Sequence, residues 1–266
     1  MAELDRLDRA YGLGTLPHAA PSAPRRARRQ TGPVMPALLV TAVLLAGMVT
    51  LSPGDNMRPV RRLLGFDDER LGAVPDVPRG IGSHGFMQTQ PGSDEPVGYD
   101  PCREIEVAVN PEGAPANAEM LVTTGLAHVS AATGLKFVRV GETDARDVLS
   151  SGSARRRPVL IRWATEEEVP ELAGRVAGIG GSLAAERDGR LRYVTGQVIL
   201  DRDVYASFGA ADLPHAQAIV DHELAHLVGL DHVADPDELM NAENLGRTTF
   251  GPGDREGLAR LGSIPC

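Results

Sequence analysis

The chain has 266 residues, and its 27 Lys+Arg against 36 Asp+Glu leave a formal net charge of -9. That length fits one ordinary domain with extra segments, and 42% hydrophobic residues suffice for a core, which excludes wholesale disorder. The acidic excess argues against nucleic acid as a partner, since phosphate binding needs clustered positive charge.

Residues 1–33 are polar, and Arg25, Arg26, Arg28 and Arg29 stand just before an uncharged apolar run of 18 residues, Val34 to Leu51. As a helix that run covers about 27 Å, enough for a thin bilayer. It reads as a transmembrane signal anchor (34–51) of a single-pass cell-membrane protein. The positive-inside rule then makes 1–33 a disordered cytoplasmic tail and puts the rest outside. Thr50-Leu51-Ser52 is a poor cleavage site, which favours the anchor over a secreted, cleaved form. Proline and glycine take 14 of the 48 positions from 53 to 100, so 52–100 reads as a flexible stalk.

From residue 101 the pattern becomes that of a folded domain. Glu104 to Asn110 alternates polar and apolar, as a half-buried strand does. Pro115 to Thr133 carries Met120, Leu121, Leu126 and Val129 at helical spacing and ends at Gly134, a helix-terminating glycine. Lys136 to Val140 and Pro158 to Ala164 predict two more strands. Arg175 to Ala185 and Arg192 to Asp201 form a hairpin about Asp188-Gly189. Asp212-Leu213-Pro214 then opens a helix that runs to about Val228. The order β, α, β, β, β, β, α predicts an α+β domain over 101–266.

The chemistry concentrates in residues 222–232, HELAHLVGLDH. His222 and His226 are four apart, hence one helical turn apart and about 40° from each other around the axis. Both imidazoles can reach a single cation from one face. Val220, Leu224, Leu227 and Val228 fall on the opposite face and would pack on the sheet. Gly229 is where the helix must end, because glycine adopts the reversing backbone conformation cheaply. The chain can then return His232 as a third nitrogen ligand. Three protein ligands leave a fourth zinc position open, the mark of a catalytic site.

On these residues the chain resembles the metzincin zinc endopeptidases, most closely the matrixin-like branch in a bacterial membrane-anchored form. The matching positions are His222, Glu223, His226, Gly229 and His232, followed by Leu239-Met240. The resemblance implies a twisted, mainly parallel five-stranded sheet, two long helices and a small C-terminal subdomain after His232. It further implies one catalytic Zn2+ held by His222, His226 and His232, with Glu223 as general base and Met240 in a methionine turn under the metal. The substrate would be a peptide or protein, laid as an added strand along Val176 to Ala185, whose glycines could equally mark a bulge. Residues 241–250 would wall the pocket. Val233 and Ala242 depart from the family pattern: matrixins commonly have serine after the third histidine, and Ala242 excludes the tyrosine ligand of astacin-like branches. No segment for a second zinc or for calcium is evident. Asp201, Asp203, Asp235 and Asp237 could bind calcium, but such carboxylates are usually just solvated.

Cys102 and Cys266 are the only cysteines. In an oxidising compartment they would pair and tie the ends of the domain together; the competing reading is Cys102 as a latency thiolate at the zinc. His215 reads as a helix-start surface residue, His18, His84 and His128 as bystanders, and Trp163 as core. A different class of function, a membrane-tethered binding module with a lapsed zinc site, fits the same histidines, as does a zinc hydrolase acting on cell-wall peptide bonds.

Overall fold

The structure, a computed structural model, describes residues 69–148, 157–187, 189–243 and 246–266. All belong to the second of two compact units, Leu64–Cys266. In chain order the elements are β1 (Gly85–Phe86), β2 (Glu104–Val109), α1 (Ala118–Thr133), β3 (Lys136–Glu142), β4 (Val159–Ala164), β5 (Gly178–Arg187), β6 (Arg190–Asp201), α2 (Arg202–Ser207), α3 (Leu213–Val228), β7 (Leu230–Asp231) and α4 (Pro252–Gly262).

Five strands form one sheet in the order β3-β2-β4-β6-β5. The first four run parallel, and β5 lies antiparallel to β6 on the edge. This is a mixed, mostly parallel sheet with several helices, an α+β arrangement as expected. The β5–β6 hairpin turns through Gly189, whose φ of +76° is the conformation a two-residue turn demands. Ile161, Val198 and Leu200 of the sheet are fully buried, as are Val220, Leu224, Leu227 and Val228 of α3. The apolar stripe of α3 therefore packs on the core and turns the histidine face outward. Gly125 of α1 sits where a Cβ would lie 2.7 Å from Val220 and 2.8 Å from Leu224, so α1 and α3 cross at close range.

Helix α4 has no counterpart among the sequence expectations. Its sequence, PGDREGLARLG, has three glycines and no clean apolar period. Burial of Leu258 and Leu261 supplies the stability that propensity withholds.

Residues 69–100 do not behave as a stalk. Val97 is fully buried and Tyr99 nearly so, the Leu71 amide donates to the Pro101 carbonyl, and β1 pairs antiparallel with β7. The glycines that suggested flexibility include Gly82, where a Cβ would lie 2.4 Å from the Gly253 nitrogen. Glycine content signals close backbone packing as readily as a linker.

The tail 1–33, the apolar run 34–51 and the first part of the expected stalk lie outside the described residues. No helix among the described residues is long and apolar enough to cross a membrane. The single-pass membrane assignment is corrected on that finding.

Cys102, at the entry to β2, is bonded to Cys266, 164 positions away in sequence, with their Cα atoms 5.6 Å apart. Such a bond belongs to an oxidising compartment. It also removes the latency reading, because a bridged sulfur offers no thiolate. The loop is long, so the bridge constrains the unfolded chain strongly. Reduction by a dithiol is expected to lower the unfolding free energy by about 2–5 kcal/mol, read as a lower urea midpoint; an unchanged midpoint would show that the bridge adds nothing.

Candidate metal centre

Helix α3 delivers His222 and His226 on one face and ends at Gly229, whose φ is +124°. The Gly229 amide donates to the Ala225 and His226 carbonyls. A Cβ there would lie 3.0 Å from the Val97 carbonyl oxygen and from Leu261, and 3.1 Å from Tyr193, so crowding and backbone conformation both require glycine. The chain reverses, Leu230–Asp231 pairs with Gly85–Phe86, and His232 comes back over the helix with its amide donating to the Asp231 carboxylate at 2.8 Å.

The three imidazoles converge. Nε2 of His222 lies 3.0 Å from Nε2 of His232, and Nε2 of His226 lies 3.1 Å from each of the other two. Backbone carbonyls orient two of the rings: His222 Nδ1–H donates to Leu239 at 2.9 Å and His226 Nδ1–H to Leu230 at 2.8 Å. With the proton on Nδ1, each Nε2 presents a lone pair. Lone pairs 3.1 Å apart repel, and burial disfavours relieving this by protonating either ring. Burial, reinforced by the neighbouring imidazoles, holds His222 down at about 3; burial likewise holds His226 at about 4. A shared cation resolves the conflict. Tetrahedral zinc with Zn–N near 2.0–2.1 Å would set its nitrogens about 3.3 Å apart, within a few tenths of an ångström of those observed. The donor set therefore fits zinc. Among the described residues the other group of this kind is Asp100, Cys102 and Cys266, whose sulfurs are already bonded to each other.

Glu223 is buried on the same helix, 6% exposed. Burial raises its carboxyl to about 8, while a hydrogen bond from the Gly180 amide pulls it back. Strand β5 reaches it because glycine permits the approach. A Cβ at Gly180 would lie 2.1 Å from the Glu223 carbonyl oxygen, and one at Gly178 would lie 2.7 Å from Glu223 Cγ. The register irregularity of β5 lies within the same stretch but past its glycines, between Leu183 and Ala184. Gly178 and Gly180 thus serve close packing on α3, whereas a Cβ at Gly181 would meet nothing within 4 Å. Together with the three histidines, Glu223 lines a cleft of about 440 Å³, bordered by Arg175 to Gly180, Ile219, Met87 and Asn241 to Glu243. Of the expected wall 241–250, its first three residues border the cleft, whereas Phe250 is in the core.

Met240 is buried, 1% exposed, and its carbonyl accepts the Val233 amide at 3.0 Å. The turn around it is held by two buried carboxylates. Asp254 accepts the amides of Leu239 (2.6 Å), Met240 (3.4 Å) and Gly251 (2.9 Å). In return, Glu238 accepts those of Gly253 (2.8 Å) and Asp254 (2.9 Å) at the start of α4. Burial pushes the Asp254 carboxyl up to about 6 against the pull of these amides. Leu239 therefore sits between the latch and His222, presenting its carbonyl to the ring.

The remaining expectations sort simply. Asp201 caps α2 through the amides of Asp203 and Val204, Asp235 accepts the Asp237 amide, and Asp237 pairs with Arg247, so calcium gains no support. His215 is exposed and Trp163 is core. His128 lies with its Nδ1 2.8 Å from the buried Asp221 carboxylate, which also accepts from Gln217. His84 packs on Gly257, where a Cβ would lie 2.9 Å from its own. His18 lies outside the described residues. Sequence reasoning missed the Gly180 amide, the Leu230 and Leu239 carbonyls, and Asp254. Backbone groups carry no residue signature, and Asp254 acquires its role only when α4 docks.

No protein-family model matches the chain, and no curated protein sequence does. Among solved structures the chain is similar to the GM1-bound form of the ECX AB5 holotoxin, at 12% identity and a TM-score of 0.36, over 60% of this chain and 82% of that one. It is also similar to high choriolytic enzyme 1, a hatching-enzyme zinc protease from Oryzias latipes (Medaka fish), at 16% identity and a TM-score of 0.26, over 48% of this chain and 44% of that one. Likeness of this degree carries no functional argument, and the three-histidine centre stands on its own geometry.

Proposed function

We propose that the protein is a zinc-dependent endopeptidase of the metzincin kind, matrixin-like in its motif. The observation that carries this is three Nε2 atoms within 3.0–3.1 Å of one another in one cleft with the buried Glu223. His222, His226 and His232 would hold the ion, which when bound supplies Lewis acidity and brings the pKa of water down towards about 7. Its positive charge also favours the ionised form of Glu223, offsetting burial. Glu223 then takes a proton from the attacking water and passes it to the leaving amine. The Gly180 amide holds the carboxylate in place for both transfers. Strand β5, at the sheet edge, offers backbone groups to an extended peptide substrate. Met240, on the turn that carries Leu239, positions His222 indirectly.

The test uses the full-chain protein with one equivalent of zinc and an unfolded protein as substrate. Expected are cleavage, its loss on treatment with a strong zinc chelator, and its return when zinc is restored. Stoichiometric zinc without turnover would overturn the enzyme in favour of a binding module, and cleavage confined to cell-wall peptides would replace the endopeptidase with a narrower hydrolase.

A further inference from the structure

Residues 80–87 form a strap clamped against α4 and the turn after α3. The Gly80 amide donates to Glu256 at 2.6 Å. A Cβ at Gly253 would lie 2.2 Å from the Ser83 carbonyl oxygen, and Gly257 accommodates His84 in the same way. Arg260 stands over the Phe86 ring, 5.3 Å from its centroid. Beyond Phe86, the Met87 amide donates to the Gly229 carbonyl at 3.0 Å, and the Gln88 carbonyl accepts from Val97 at 2.9 Å. The backbone at Met87 is thus held on both sides, yet its side chain is 46% exposed and faces the cleft that contains His226 and His232.

Single exposed apolar residues are ordinary on a protein surface. Met87 differs in being held at the rim of the cleft that His222, His226, Asp231 and His232 also line. Ile219, the helix residue bordering the cleft at the other end, lies ten positions before Gly229, about 15 Å along the axis of α3. The two apolar side chains flank the histidines from opposite ends. A methionine is unbranched and polarisable, and adapts to apolar partners of several shapes.

We propose that Met87 is a specificity-determining residue, contacting the substrate on the side of the scissile bond towards the C-terminus of α3 and selecting a peptide with a large apolar side chain there. This rests on the endopeptidase reading. The experiment digests a mixture of peptides with varied residues around the cleavage point, using zinc-loaded full-chain protein, and reads the cleavage sites by mass spectrometry. Wild type is expected to favour an apolar residue at one position. Met87→Ala should weaken that preference and lower kcat/KM on the preferred peptide about tenfold, mainly through KM. Met87→Glu should shift the preference at that same position towards Lys or Arg, and Met87→Leu should restore it. Zinc content and melting temperature should match wild type in all three, since the side chain is not part of the core. Absence of cleavage by wild type sinks both readings. Cleavage by wild type with an unchanged profile in Met87→Ala and Met87→Glu sinks this inference alone.

Discussion

Glu223→Gln is expected to bind one zinc per chain and to lose about 100-fold or more in kcat, the usual worth of a positioned general base. Glutamine has the same length, so its oxygen can still accept from the Gly180 amide, but it cannot take a proton from water. A second readout separates chemistry from folding. The buried carboxyl is raised from 4.5 to about 8, so in metal-free wild type ionisation opposes folding. The sign follows from linkage: below pH 4.5 both states are protonated and there is no penalty; it grows between 4.5 and about 8, where only the unfolded state is ionised, and is constant above that. The metal-free Gln variant should therefore melt close to wild type at pH 4 and above it at pH 9. Retention of wild-type turnover by the zinc-loaded variant would remove Glu223 from the mechanism, whatever the melting curves show.

Asp254→Ala is expected to have the second largest effect, on stability and on metal affinity together. Its carboxylate accepts the amides of Leu239, Met240 and Gly251 inside the protein, and each buried donor left without a partner costs about 1–3 kcal/mol. A net loss of about 3 kcal/mol would lower the melting temperature by about 6–12 °C for a unit of this size. Releasing Leu239 also frees the carbonyl that orients His222. Zinc affinity should then fall about 10–100-fold, as happens when an outer partner of a metal-ligating histidine is lost. Calorimetry and competition with a chromophoric chelator measure the two effects. A lower melting temperature with unchanged zinc affinity would make the latch purely structural. Asp254→Asn should fall between, since it keeps one acceptor oxygen but turns an NH2 towards backbone donors.

How much of this was legible beforehand depends on the range of the interaction. The α3 register, the stop at Gly229 and the β5–β6 hairpin all follow from patterns within a few residues. The pairing of Cys102 with Cys266 was legible for another reason, namely that no other partner exists. The strap 80–87 was misread because glycines that let Gly82 meet Gly253 are written the same way as glycines in a linker. Helix α4 was missed because its stabilising contacts are tertiary and its own propensity is poor.

From its sequence alone the chain determined which imidazoles share a helical face, where that helix must end, and that a glutamate, Glu223, stands next to the first of them. These are consequences of 3.6 residues per turn and of glycine's backbone freedom, and they need no partner element. Only the tertiary structure decided how the rings are oriented, how the methionine turn is latched, and that Gly180 and Met87 reach the cleft. Apart from the His226–Leu230 contact, which spans four residues, these join segments from 14 to more than 140 residues apart, and nothing in the local sequence encodes them until the core has closed.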